Sequence, residues 1–271
     1  MQQYLCSISK KIIIKFQNSI NNFLKKFNLR LMKYSTYKEI TLNNRTFDFN
    51  FICQIKNQEN LSKTMHYFSQ SHSQLRQDLF TLNQLNFKKN GFFVEFGATD
   101  GINLSNTHLL EKEFNWNGIL AEPAKVYHKE LSENRNCYIE KNLVWKDSKS
   151  KLNFIETSIK HLSTIKEYSK LDFHIRKAHK QYIVDTISLN DLLKKYNAPN
   201  IIDYISIDTE GSELDILNNF DFNSYKFRVI TCEHNYSSNR DKIYNLLSDN
   251  GYKRVMSDIS QFDDWYIKTS I

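Results

Sequence analysis

From residue 92 onward the chain repeats one pattern: a short apolar run of β-forming residues, then an amphipathic stretch with helical spacing. Phe92–Phe96, Gly118–Glu122, Cys137–Asn142, Ile202–Asp208 and Phe227–Glu233 read as strands. Leu104–Phe114, Lys125–Glu133, Leu189–Tyr196, Glu213–Phe220 and Asp241–Asn250 read as helices. Such alternation calls for a mostly parallel sheet with helices covering both faces. The chain then closes with two strands, Tyr252–Met256 and Trp265–Lys268, and no helix between them. A hairpin of that kind places an antiparallel strand at the end of an α/β, Rossmann-like doubly wound sheet. Only six glycines and two prolines are present, which excludes a turn-dense β-sandwich.

Residues 71–271 are expected to form this domain, and 1–70 an N-terminal basic helical appendage with its connector. Residues 1–40 hold eight basic residues and one acid, and the remaining chain is balanced at 29 of each sign. The basic character thus belongs to the appendage, and no basic nucleic-acid groove is expected on the main domain. Ile13, Phe16, Ile20, Phe23 and Phe27 recur at near-helical spacing with Lys interleaved. This suits a helix packed on its own domain or a partner, or one lying on an anionic membrane surface. No apolar run approaches the roughly 18 residues of a membrane span. Cys6, Cys53, Cys137 and Cys232 have no metal-ligand spacing, and a reduced cytoplasmic setting is the plain expectation.

The first strand leads into Glu95-Phe96-Gly97-Ala98-Thr99-Asp100-Gly101. Gly97 permits a sharp turn, and Gly101 is expected to let backbone approach a ligand. A dinucleotide site would show G-x-G-x-x-G. Glu95 and Asp100 instead surround the loop with negative charge, a poor phosphate cradle but one suited to a cation-bearing ligand such as S-adenosylmethionine. Glu122, 21 residues after Gly101 and followed by Pro123, sits where an α/β nucleoside-binding fold holds the ribose hydroxyls. Asn142 and Leu143, at the third strand end, are placed to meet the adenine edge and face.

These segments, together with Gln77-Asp78-Leu79-Phe80, Ser206-Ile207-Asp208-Thr209-Glu210-Gly211-Ser212-Glu213 and Cys232-Glu233-His234, resemble the FkbM-type methyltransferases. The resemblance covers roughly residues 70–268. It implies a class I methyltransferase fold with seven strands, the last antiparallel. It also implies S-adenosylmethionine as cofactor and O-methylation of a sugar, glycan or other small-molecule hydroxyl.

Asp208 also belongs to the expected cofactor rim, and Asp208, Glu233 and His234 are the catalytic candidates. Two mechanisms follow. In the favoured one His234 is a general base and Asp208 orients it or the ligand. In the other, Asp208 and Glu233, with Asn235 or His234, hold Mg²⁺; that arrangement lacks a third carboxylate unless Glu210 turns back toward Asp208. Residues 151–187 interrupt the alternation, as a hairpin or lid over the acceptor or as a solvated loop, and carry His161, His174 and His179. Two other readings remain open, a nucleotide-dependent oxidoreductase and a non-catalytic domain recruited to membranes by residues 1–40. The acceptor's identity and the oligomeric state are not encoded in any motif.

Overall fold

The computed structural model describes residues 45–157, 163–165 and 178–270. The element read over residues 1–40, His161, His174 and the side chain of His179 lie outside the described residues. The chain forms two compact units, Met1–Ile52 and Cys53–Ile271. In the first, residues 45–52 are helical, and the Phe47 and Phe51 rings stack with centroids 6.4 Å apart.

The second unit opens with α1 (Gln58–Tyr67), capped by Asn57, whose side chain accepts from the Asn60 amide. Residues 53–70 therefore belong to this unit, where the sequence suggests a connector. Polar Asn60 and Thr64 are buried in α1, which hid its inner face from a hydrophobicity pattern. Asn60 Nδ2 donates to Asn86 Oδ1 (3.1 Å) and to the Asn83 carbonyl. Next comes α2 (Gln77–Gln84), six of whose eight residues are buried.

The main sheet uses β1 (Phe92–Phe96), β2 (Asn117–Ala121), β3 (Tyr138–Glu140), β8 (Ile201–Ile207), β9 (Lys226–Glu233), β10 (Tyr252–Val255) and β11 (Asp263–Lys268), in the order β10-β11-β9-β8-β1-β2-β3. β11 runs antiparallel to both β10 and β9, while the β9-β8-β1-β2-β3 pairs are parallel. The expected closing hairpin is thus present, with Val255 opposite Trp265. Helices α3 (His108–Phe114), α4 (His128–Asn134), α5 (Leu189–Lys195), α6 (Glu213–Asn218) and α7 (Arg240–Asp249) link these strands. Val94, Phe96, Ile205, Ile207 and Ile230 fill the core between sheet and helices. Each such side chain contributes about 1.5–3 kcal/mol on burial.

The stretch 143–188 builds a second sheet. β4 (Leu143–Trp145), β5 (Lys151–Thr157), β6 (Thr164–Ile165) and β7 (Ala178–Ser188) pair in the order β4-β7-β5-β6. β5 and β7 form a long antiparallel pair, and β4 joins β7 in parallel. Leu143, Trp145, Phe154, Ile165 and Val184 give this sheet its own small core. Strand order in the main sheet reverses between β1 and β8, and the crevice outside their carboxyl ends is where an open α/β sheet binds ligands. No helix among the described residues is long and apolar enough to cross a membrane.

Candidate active site

A cavity of about 220 Å³ opens at that crevice. Glu95, Gly97 and Thr99 after β1, Glu122 and Pro123 after β2, and Asp208 after β8 line it.

At β1, the Glu95 carboxylate is buried and taken up by the loop that follows. It accepts from the Asn106 amide (2.6 Å), Ser105 Oγ (3.0 Å) and Thr107 Oγ1, with Arg135 at 3.8 Å. Burial raises its pKa against the lowering influence of Arg135. Glu95 thus shapes the loop as well as facing the cavity. Gly97 has φ +72°, and a Cβ there would lie 2.5 Å from the Asp208 carbonyl oxygen. Glycine is required by both conformation and space.

Three loop residues sit differently from expectation. Asp100 turns onto its own loop, accepting from the amides of Ile102 (2.9 Å) and Asn103 (2.8 Å), and is not among the cavity walls. A Cβ on Gly101 would meet Arg135 Cγ at 2.6 Å and Leu131 Cδ1 at 2.8 Å, so this glycine makes room for Arg135 rather than for a ligand. Ala98 is buried and is not among the cavity walls. Arg135 was not singled out from sequence. It is buried on α4's C-terminal side, bonded to Glu111 (2.7 Å), the Gly101 carbonyl (3.0 Å) and Thr107 Oγ1 (2.9 Å).

Beyond β2, the Glu122 carboxylate is 4% exposed. Oε2 accepts from the Thr99 amide and Oε1 from the Ala124 amide, each at 2.8 Å. Burial pushes its pKa up to about 7 against these two hydrogen bonds. Each oxygen keeps one lone pair for a further donor. Leu143, Tyr127 and Phe154 wall the cavity on the side of the second sheet. Asn142 is not part of that wall; its amide donates to Glu140 Oε1 because the chain turns there from β3 into β4.

The opposite end is acidic. Ligand atoms of Asp208, Glu210 and Glu233 lie within 4.8 Å of one another. Glu210 has φ +59°, which folds the loop after β8 back toward Asp208. Glu213 fixes that loop, its Oε1 accepting from the amides of Thr209 and Gly211, both at 3.0 Å. Burial, and then the Glu213 charge, lift Asp208 up to about 7. Burial and Asp208 push Glu233 well above the ordinary carboxylate range.

His234 points elsewhere. Its ring is buried on the side of Asp264, 3.8 Å from Oδ1, and its Nδ1 accepts from the Tyr236 amide at 3.0 Å. Burial lowers its pKa. Asn235, not His234, lines the large cavity, because the chain leaves β9 after Glu233 and turns at Asn235, whose backbone is left-handed (φ +44°). Gln77, quoted from the sequence only within the Gln77-Asp78-Leu79-Phe80 segment and given no site role there, and Asp263, which escaped the sequence reading, complete this end. The available signal was an acidic pair, Asp263-Asp264, directly before an aromatic strand.

Residues 95–254 match the family model of the methyltransferase FkbM domain. Among solved structures, precorrin-6y C5,15-methyltransferase from Geobacter metallireducens GS-15 is 12% identical, with 70% of this chain and 85% of that one aligned and a TM-score of 0.39. The METTL16 MTase domain is 12% identical over 71% of this chain and 66% of that one, TM-score 0.39. A ribosomal protein L11 methylase from Lactobacillus delbrueckii subsp. bulgaricus is 10% identical over 72% and 80%, TM-score 0.36. No curated protein sequence matches the chain.

Proposed function

The chain belongs to the methyltransferase FkbM domain family, and we propose that it transfers the methyl group of S-adenosylmethionine to a hydroxyl oxygen of a small molecule or glycan. The observation that carries this reading is Glu122: a buried carboxylate at the end of β2 that lines the cavity, each oxygen pinned by one backbone N–H and each able to accept one more donor. Two vicinal ribose hydroxyls fit that pair. The apolar wall of Leu143, Tyr127 and Phe154 suits an adenine face. Gly97 lets the β1 loop turn and pack on the Asp208 backbone at the cavity wall.

S-adenosylmethionine, when bound, supplies an electrophilic methyl group on a sulfonium. The carboxylates of Asp208 and Glu233 favour that positive centre and stand where an acceptor hydroxyl would approach. With the methyl group supplied by S-adenosylmethionine, Asp208 would take the proton of the acceptor hydroxyl whose oxygen receives that group. The role of base thus passes from His234 to the carboxylate pair.

A second reading is favoured by the turn at Glu210, which brings a third carboxylate beside Asp208 and Glu233. An all-oxygen set of this kind suits a hard divalent cation such as Mg²⁺, which acidifies a hydroxyl. Calorimetry on the full chain tests both. S-adenosylmethionine and S-adenosylhomocysteine should bind and NAD should not; failure of both to bind refutes the proposal. Mg²⁺ titrated alone should give heat that Glu210→Gln abolishes if the second reading holds.

A further inference from the structure

Asp263 opens β11, directly opposite Glu233 on β9, and is 4% exposed. One of its oxygens is fully engaged: Oδ2 accepts from Gln77 Nε2 and from the Trp265 indole Nε1, both at 3.1 Å. Gln77 is itself fixed, because its Oε1 accepts from the Leu75 amide at 2.9 Å. Its amide orientation is thereby set, with the NH₂ group aimed at Asp263. Trp265 is held by stacking on Phe80, centroids 4.6 Å apart. Two side chains of the Gln77-Asp78-Leu79-Phe80 segment thus fix one carboxylate, Gln77 directly and Phe80 through Trp265. Among the described residues no hydrogen bond reaches Asp263 Oδ1, and the residue faces the cavity.

A carboxylate whose back oxygen is locked by two donors presents its front oxygen at a fixed place, with little orientational freedom left to lose on binding. We propose that Asp263 anchors the acceptor, its Oδ1 accepting a hydrogen bond from an acceptor hydroxyl, and that Gln77 is the positioning residue for this anchor. The inference rests on the methyl-transfer reading of the cavity. It also narrows the acceptor. Asp208, Glu210, Glu233 and Asp263 gather at this end and already disfavour one another's ionisation, so a carboxylate or phosphate on the acceptor would add negative charge where it is least favoured. The acceptor is uncharged and carries more than one hydroxyl, one for transfer and one for the anchor.

The decisive variant is Asp263→Asn. Gln77 and Trp265 both donate, so the asparagine must turn its oxygen toward them, leaving its NH₂ group at the place of Oδ1. The local packing survives while the anchor changes from acceptor to donor. The full chain loaded with S-adenosylhomocysteine is titrated by saturation-transfer NMR with methyl β-glucopyranoside, methyl α-mannopyranoside and glucuronate. The wild type should bind a methyl glycoside and reject glucuronate. Asp263→Asn should lose at least tenfold in glycoside affinity, the loss expected when a hydrogen bond to a charged group is removed. Gln77→Ala should weaken the glycoside several-fold. In both variants calorimetric affinity for S-adenosylhomocysteine should stay within twofold, which a general structural defect would not allow. Glycoside affinity unchanged in Asp263→Asn overturns the anchor. Glucuronate bound as well as the glycosides, or no glycoside bound, by a wild type that holds S-adenosylhomocysteine overturns the acceptor class. Failure of the wild type to bind S-adenosylhomocysteine overturns the methyl-transfer reading instead.

Discussion

Replacing Glu122 by glutamine tests the cofactor site through its pH dependence. The carboxylate is buried, its two oxygens each take one backbone N–H at 2.8 Å, and its pKa is pushed up to about 7. Ribose hydroxyls donating to it would favour the charged form, so binding lowers the pKa and affinity rises with pH. With a pKa near 7 the group is about 3% ionised at pH 5.5 and about 90% ionised at pH 8. Affinity for S-adenosylhomocysteine should therefore grow by about 30-fold over that interval, and be lost as pH falls through 7. Glutamine does not titrate, and its NH₂ must face either the Thr99 or the Ala124 amide, donor against donor. The variant should lose about 1.5–3 kcal/mol at pH 8, roughly 10- to 150-fold in affinity, and show a flat pH profile. Isothermal titration at four pH values measures both quantities. Affinity within twofold of wild type at pH 8, or a slope that persists in Glu122→Gln, would refute the assignment.

Gly97→Ala should cost about 1–2 kcal/mol from the left-handed backbone alone, more from the approach to the Asp208 carbonyl, with S-adenosylhomocysteine affinity falling in parallel; a variant as stable and tight-binding as wild type would contradict the geometry. Arg135→Met should destabilise by about 3–5 kcal/mol in urea denaturation, because Glu95 and Glu111 lose a buried partner; a change below about 1 kcal/mol would show the network to be dispensable. His234→Gln should leave S-adenosylhomocysteine affinity within twofold, since the ring faces Asp264, and a tenfold loss would restore it to the site. Glu122, Asp208 and Asp263 all have folded pKa values raised to about 7. A raised carboxyl pKa gives stability that is fully present below the unfolded value near 4 and is lost as pH rises from there through the folded value, so the ligand-free melting temperature should fall between pH 5 and 7 and level off above it. A melting temperature that rises over this interval would contradict those shifts.

The main sheet was legible from the sequence because burial on both faces writes itself as continuous apolar runs: Phe92–Phe96 is β1 to the residue. The closing hairpin was equally plain, since no helical stretch separates Tyr252 from Trp265. Gly97 and Glu122 follow from the same logic, as ligand crevices lie at strand ends whose positions the pattern fixes. Side-chain direction at those ends was beyond its reach. His234 and Asn235 are neighbours in the chain, yet only Asn235 enters the cavity. Gly101 looked like a ligand glycine until Arg135, 34 residues away, took the space. Glu210 joins Asp208 and Glu233 through a left-handed backbone that no residue type announced. Gln77 and Asp263 stand 186 positions apart and meet through a 3.1 Å hydrogen bond. Periodicity reports which face of an element is buried; which distant polar group meets it is decided only when the chain is packed.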